Sequence, residues 1–296
     1  MAVTSTMRRI RGALQRWRRR ARTAVLRPIL IGNRTFRETV MNALGDRGHL
    51  IYCRTGDLVF FVDPGDRAVG AELVWGGQWA RAELDRAIEV LRSVGRLPNE
   101  PVFVDAGANI GTQTVYALAS GFARAVCFEP EPRNAQLLTM NVASNGFASR
   151  ATIVRSAVGD EAGKAMLQLH PRNKGNHMIG RAPSLDGLEQ VEVPIQRMDA
   201  ALAAAGVTAA QVGVVWIDVE GYEPQAIRGL GSFLEHRVPL VIEYSPSRYS
   251  PSDKAALSDL LERHYRFYRD VKRLDSEHPV SDLRQVTTGF NDVLVY

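Results

Sequence analysis

From Pro101 onward the chain repeats one rhythm: a short apolar run, a glycine-bearing turn, then a stretch with helical spacing. Pro101-Val-Phe-Val-Asp105 leads into a helix over 110–119, and Ala125-Val-Cys-Phe-Glu129 into a helix over 132–143. Ala151–Arg155, Val212–Asp218 and Pro239–Glu243 supply three more runs of the same kind. Continuously apolar strands alternating with helices bury both faces of a parallel sheet, which makes the body an α/β protein. Between Gly163 and Ile195 two alternating segments, Ala165–Leu169 and Val191–Ile195, predict a hairpin excursion. After a helix over Pro251–His264, the runs Arg266–Val271 and Asp292–Tyr296 are joined by a non-helical link. They are therefore expected to pair antiparallel, giving a mostly parallel sheet with an antiparallel C-terminal strand.

What precedes the sheet divides into an arm over 1–37 and a small accessory section over 38–98, ahead of the body at 99–296. The accessory section contains His49–Cys53 and Leu58–Val62, which predict a hairpin around Thr55-Gly-Asp57, and a helical stripe from Glu83 to Leu91 that stops before Gly95 and Pro98. The chain's net charge of +5 belongs to the arm alone: residues 1–37 hold 11 arginines and no acid, leaving 26 basic against 32 acidic side chains elsewhere. Ile10, Leu14 and Trp17 stand at helical spacing among those arginines. This pattern suits an anionic membrane surface or an acidic partner, or a solvated arm, and the acidic body argues against extended contact with nucleic acid. No apolar run in the arm is long enough for a signal-peptide core or a membrane span, so the expected location is cytoplasmic, peripheral to a membrane where the arm engages one. Cys53 and Cys127 are too few for a disulfide framework, and Cys127, inside an apolar run, is read as a core residue.

Three places carry chemistry. The first is the exit of the first strand, Asp105-Ala-Gly107-Ala-Asn109-Ile-Gly111. In doubly wound sheets, ligands sit beyond the carboxyl ends of the strands. Gly107 is read as letting a ligand approach the backbone, and Gly111 as letting the helix pack on the strand. The glycine spacing differs from G-x-G-x-x-G, and an acid at Asp105 repels pyrophosphate while attracting an ammonium or sulfonium. A tight turn with Asp105 capping the helix is the alternative. The second place is Glu129, 18 residues after Gly111, where an acid can accept both hydroxyls of a ribose. Ser156 and Ala157 follow the third strand and suit the wall of a base pocket, or an ordinary loop. The third is Asp218-Val-Glu220-Gly-Tyr-Glu223, leaving the fourth strand. Its acids suit catalysis; Glu223 also suits helix capping, and oxygen-rich clusters take magnesium or calcium, although no further ligand stands out here and no metal is expected.

Together Asp105–Gly111, Phe128-Glu-Pro, Asn141 and Asn145, the loop 156–160 and Ile217–Glu223 resemble the FkbM family of methyltransferases over about residues 75–245. The resemblance implies a seven-stranded, Rossmann-like class I methyltransferase fold. It also implies S-adenosylmethionine as methyl donor and, as acceptor, a hydroxyl of a sugar, glycan or secondary metabolite. By that resemblance Asp105, Gly107 and Asn109 border the methionine part of the cofactor, with Gly111 closing the turn. Glu129 holds the ribose, Ser156 and Ala157 flank the adenine, and Asp218 and Glu220 lie near the transferred methyl. Gly77-Gln-Trp-Ala80 resembles the segment that partly covers the cofactor.

A hydroxyl is a poor nucleophile at neutral pH, and a positioned base accelerates its reaction by roughly 10²–10⁴-fold. The candidates are Asp218, Glu220, Glu243 at the end of the fifth strand, and His177 on a loop. Glu243 as a strand-end acid paired with a neighbour, and His177 as an exposed loop residue, are the alternatives. Other readings are methylation of nucleic acid or protein, a NAD-dependent oxidoreductase (disfavoured by the glycine spacing), and a non-catalytic binding module targeted by its arm. The Asn/Asp-Pro-Pro-Tyr/Phe arrangement used on planar base nitrogens does not occur.

Overall fold

The computed structural model describes residues 32–45, 48–180, 187–273, 276–289 and 291–296. Most of the arginine arm, with Ile10, Leu14 and Trp17, lies outside the described residues. The described part opens with helix α1 (Arg34–Gly45), which runs across the position where the sequence separates arm from accessory section. The expected hairpin follows as β1 (Ile51–Thr55) and β2 (Leu58–Val62), paired Ile51 to Val62 through Thr55 to Leu58. A short helix α2 (Val69–Trp75), not expected from the sequence, and the expected α3 (Arg81–Ser93) complete this section.

The body is built on β3 (Val102–Ala106), α4 (Thr112–Ala119), β4 (Arg124–Phe128), α5 (Pro132–Ser144) and β5 (Ala151–Val154). After an excursion the chain returns through α6 (Met198–Ala204), β10 (Val212–Ile217), α7 (Glu223–Arg228), α8 (Ser232–Glu235) and β11 (Leu240–Tyr244). It ends with α9 (Pro251–His264), β12 (Phe267–Asp270), β13 (His278–Pro279) and β14 (Asn291–Val295). The strands lie in the order β5-β4-β3-β10-β11-β14-β12-β13. The first five are mutually parallel, and β14 runs antiparallel to both β11 and β12. Seven strands thus match the expected sheet; the two-residue β13 adds an eighth at the edge, too short to show as a periodic pattern.

Alternation along the central strands explains why the sheet is covered on both sides. Val102, Val104 and Ala106 of β3, with Val215 and Ile217 of β10, join the core beneath α6, α7, α8 and α9. Phe103, Val214 and Trp216 point the other way, into the core shared with α3, α4, α5 and the β1–β2 hairpin. The accessory section therefore closes one face of the sheet, contributing Phe60, Val62, Leu73, Leu84 and Leu91 to that core.

The free edge of β2 is satisfied by two side chains of α5 instead of another strand. Asn141 Oδ1 accepts from Phe61 N (2.6 Å), and its Nδ2 donates to Phe61 O (3.2 Å) and Ile110 O (2.8 Å). One helical turn later, Asn145 Oδ1 accepts from Val59 N (2.9 Å) and Nδ2 donates to Val59 O (2.7 Å). Each carboxamide mimics one peptide of a neighbouring strand, at the i, i+4 spacing that puts both on one helix face. Asn141 thereby ties the hairpin to the turn that precedes α4.

The excursion forms a separate four-stranded sheet. β7 (Gly163–Gln168) and β9 (Gln190–Gln196) form the expected antiparallel pair, extended by β8 (Met178–Ile179) and by β6 (Ala157–Val158), which pairs parallel with β9. Residues 156–160, read from sequence as a loop, thus include one short strand of this sheet. Ala157, Leu167 and Val193 form its small core. Among the described residues no helix is long and apolar enough to cross a membrane.

Candidate functional site

Chain order reverses between β3 and β10: from β3 the chain moves outward to β4 and β5, then crosses back to β10 on the other side. The carboxyl ends of those strands leave a crevice there. The turn after β3 is stitched across it. Gly107 N and Ala108 N donate to Phe128 O at the end of β4 (3.1 and 2.9 Å), and Asp218 N donates to Ala106 O (3.0 Å). Gly107 takes φ +86°, and a Cβ there would lie 1.8 Å from the carbonyl oxygen of Asp218. The reason for glycine is the neighbouring strand end as well as any ligand. Gly111, at φ +85°, meets Leu138 of α5, where a Cβ would stand 2.5 Å from Cδ1, so the close approach it allows is to the neighbouring helix.

Asp105 is buried, accepts from Thr114 Oγ1 (2.5 Å) and from the Thr114 backbone N–H, and is pushed by burial up to about 7. It satisfies the first turn of α4 from the strand, as the capping alternative expects, and it also borders the crevice. Glu129 is buried at the end of β4. Its Oε2 accepts from Asn109 N (2.7 Å) and Oε1 from Glu131 N (2.8 Å), while burial pushes it up to about 8. Asn109 sits at φ +51° and its Oδ1 has no hydrogen-bond partner.

Two adjoining cavities share Gly107, Asn109, Gly175, Asp218 and Glu220. The first is a slot lined by apolar Phe128, Ala157, Val158, Leu167 and Ile179 together with the buried Glu129 and Ser156. Ser156 Oγ donates to Ala157 O (2.7 Å), which fixes the bend into β6. The excursion sheet therefore supplies a wall that its sequence pattern did not announce. The second cavity, about 420 Å³, reaches from Asp105 and Gln113 past Trp79 to Glu243, Arg248, Lys272 and Asp292. Of the four non-glycine residues with positive φ among the described residues, three border it: Ala80, Asn109 and Glu220. Such backbone strain concentrates at functional sites.

The acids after β10 separate into different roles. Glu223 turns inward, fully buried, and its carboxylate accepts from Val219 N and Gly221 N (each 3.1 Å), so it braces the loop that leads into α7, whose N-cap position is Tyr222 with no side-chain cap. Its place in the cluster is taken by Glu243: one carboxylate oxygen each from Asp218, Glu220 and Glu243 lies within 4.8 Å of the others. Burial raises Asp218 well above the ordinary carboxylate range, with repulsion from Glu243 and Glu220 adding to it. Burial likewise pushes Glu220 up to about 7, and Glu243 upward. A hydrogen bond from Asp218 and the charges of Arg248 and Lys272 oppose that rise at Glu243. Arg248, from the short turn after β11, binds Glu220 and lies 3.5 Å from Glu243 Oε2. Its guanidinium supplies positive charge to two of the three clustered acids. The sequence reading missed Arg248; its signal was position alone, five residues past Glu243 in the loop that leaves β11.

His177 is placed differently from the expectation. It lines the first cavity and not the second, and Nδ1 already accepts from His170 N (3.0 Å). Burial, with help from Lys174 and His170, lowers it to about 4. A neutral imidazole with its free lone pair engaged is a donor through Nε2, so His177 leaves the set of candidate bases.

The residues present suit a sulfonium nucleoside. Asn109 Oδ1, Gln113 Oε1 and Asp218 Oδ1 are buried acceptors without a donor, aligned along the shared boundary and the second cavity. A buried carboxylate faces the apolar slot from the end of β4.

Residues 105–267 match the family model described as the methyltransferase FkbM domain. The chain is 26% identical over 196 residues to methyltransferase sdnD of Sordaria araneosa, covering 56% of this chain and 75% of that protein. Among solved structures it is similar to methyltransferase FkbM from Methylobacillus flagellatus KT, with 19% identity, a TM-score of 0.43 and coverage of 67% of this chain but only 44% of that one. It is also similar to TYW2 of M. jannaschii in complex with AdoMet, with 13% identity, a TM-score of 0.38 and coverage of 83% and 84%.

Proposed function

The chain belongs to the FkbM methyltransferase family, and from that premise we propose that it moves the methyl group of S-adenosylmethionine to a hydroxyl of a sugar, glycan or secondary metabolite. The observation that carries this reading is the junction of the two cavities. Asp218 and Glu220 border both the apolar slot and the larger chamber, so one wall serves donor and acceptor alike.

In this reading Glu129 takes the ribose hydroxyls, and Phe128, Ala157 and Val158 face the adenine. Asp105, Asn109 and Gln113 hold the methionine part. When bound, the cofactor would supply an electrophilic methyl group on its sulfonium. The protein's part is alignment and removal of the acceptor's proton. Glu220, pushed up to about 7 by burial, is matched to accept that proton at neutral pH. Arg248 fixes its carboxylate, and Asp218 with Glu243 forms the neighbouring pair that shares the charge. The basic arm would bring the enzyme to an anionic membrane surface or an acidic partner.

Labelled methyl transfer to extracted glycans and metabolites tests the acceptor class. The proposal expects a labelled ether, with the rate falling by roughly 10²-fold or more in Glu220→Ala. Label found on nucleic acid or protein instead, or an unaffected Glu220→Ala rate, would remove the reading.

A further inference from the structure

One wall of the apolar slot comes from the excursion sheet, which lies outside the motifs that carry the family resemblance. His177 and Ile179, just before and within β8, line the slot together with Leu167 of β7. The loop that delivers His177 is held from two sides. Asp66, itself buried, accepts from Lys174 N through Oδ1 (3.3 Å), and Asn134 Nδ2 donates to Lys174 O (2.9 Å). At Gly175 a Cβ would stand 3.1 Å from Asn109 Nδ2, so the loop backbone lies against the turn after β3.

A single contact fixes the tautomer of His177. The backbone N–H of His170 can only donate, and it reaches His177 Nδ1 at 3.0 Å, so that nitrogen carries no proton. Burial, with the charges of Lys174 and His170, lowers the ring to about 4, so near neutral pH its one proton sits on Nε2. Among the described residues Nε2 has no hydrogen-bond partner. Ser156 Oγ, by contrast, is engaged with Ala157 O. The slot thus presents a preset donor on an otherwise apolar wall, and a half-buried donor gains when a ligand brings it an acceptor.

Resting on the methyltransferase reading above, we propose that His177 reads the adenine of the cofactor, its Nε2–H donating to a ring nitrogen of the base. The exocyclic amine of adenine is itself a donor, so the partner is N1, N3 or N7, the acceptors in the plane of the purine. Phe128, Ala157 and Val158 supply apolar contact that any flat base would enjoy, whereas a directed donor distinguishes one edge from another. The excursion sheet then has a role in the site: it carries the hydrogen bond that orients the nucleobase, and the clamp on Lys174 holds that donor in place.

The test uses the full chain with S-adenosylhomocysteine and its 1-deaza, 3-deaza and 7-deaza analogues, each of which replaces one acceptor nitrogen by C–H, followed by calorimetry. One of the three is expected to bind about tenfold more weakly than the parent. In His177→Phe, which keeps a ring but loses the donor, that analogue and the parent are expected to bind alike. A long-range proton–nitrogen correlation spectrum of the wild type should show His177 protonated on Nε2 and bare on Nδ1, with the Nε2–H signal moving when S-adenosylhomocysteine is added. Three analogues that all bind like the parent overturn the proposal, as does a penalty that survives in His177→Phe or disappears in Lys174→Met, the ammonium being the competing donor of the slot. Should His177→Phe fail to fold, an Nε2–H signal indifferent to the ligand in the wild type overturns it equally. Failure of S-adenosylhomocysteine itself to bind removes the underlying cofactor reading instead.

Discussion

At Gly107 the missing Cβ is the space occupied by the Asp218 carbonyl, and the positive φ adds a second demand for glycine. Gly107→Ala is expected to cost at least about 2 kcal/mol in stability and to weaken cofactor binding, checked by urea unfolding and calorimetry. The sequence showed that this glycine mattered; the partner that requires it, more than 100 residues away, was visible only once β3 and β10 paired. The acids were legible as candidates, but backbone spacing does not tell which carboxylate turns inward: Glu223 is buried against its own loop, while Glu243 joins Asp218 and Glu220. Glu223 supports a pH prediction. Its folded-state pKa, about 7, lies above the usual carboxylate value, so the folded protein keeps a proton that the unfolded chain has lost at intermediate pH. That contribution to stability is fully present below about pH 4 and is lost as the pH rises toward 7. Between pH 5 and 8 the wild type should lose more stability than Glu223→Gln, by roughly 2 kcal/mol, in paired urea titrations. Parallel pH dependence in the two proteins would count against this assignment.

Elements with a strong period were readable, and those fixed by side-chain geometry were not. The apolar strands and the helices α3, α5 and α9 follow from their patterns, whereas the seven-residue α2 and the two-residue strands β6, β8 and β13 carry too little pattern to be seen. The hairpin β1–β2 was legible, but its attachment through Asn141 and Asn145 was not, because a buried carboxamide looks like any polar helix residue. Asn141→Leu leaves Phe61 N, Phe61 O and Ile110 O without their partner. A loss of roughly 2–4 kcal/mol is expected, together with faster amide exchange at Phe61 and Val59. Asn145→Ala should cost less, since its site is more exposed. An exchange pattern at the hairpin unchanged in Asn141→Leu would show that the apolar contacts of Phe60 and Val62 alone hold it down.

For the whole molecule, charge is divided between a basic arm and an acidic remainder, and the division was fully legible in composition. Removing residues 1–31 takes away nine arginines. We expect that truncation to spare cofactor affinity while abolishing association with anionic vesicles, at roughly 1 kcal/mol per arginine near the surface. Vesicle binding equal to that of the full chain would remove the membrane role. The catalytic account rests on one feature of the molecule, the crevice where β3, β4 and β10 end together with Glu129, Asn109 and Asp218 facing it. Calorimetric titration of the full chain with S-adenosylmethionine tests it most directly. The account predicts one saturable site per chain, weakened about tenfold or more by Glu129→Ala, with no competition from NAD; no binding, or tight NAD binding in its place, would contradict it.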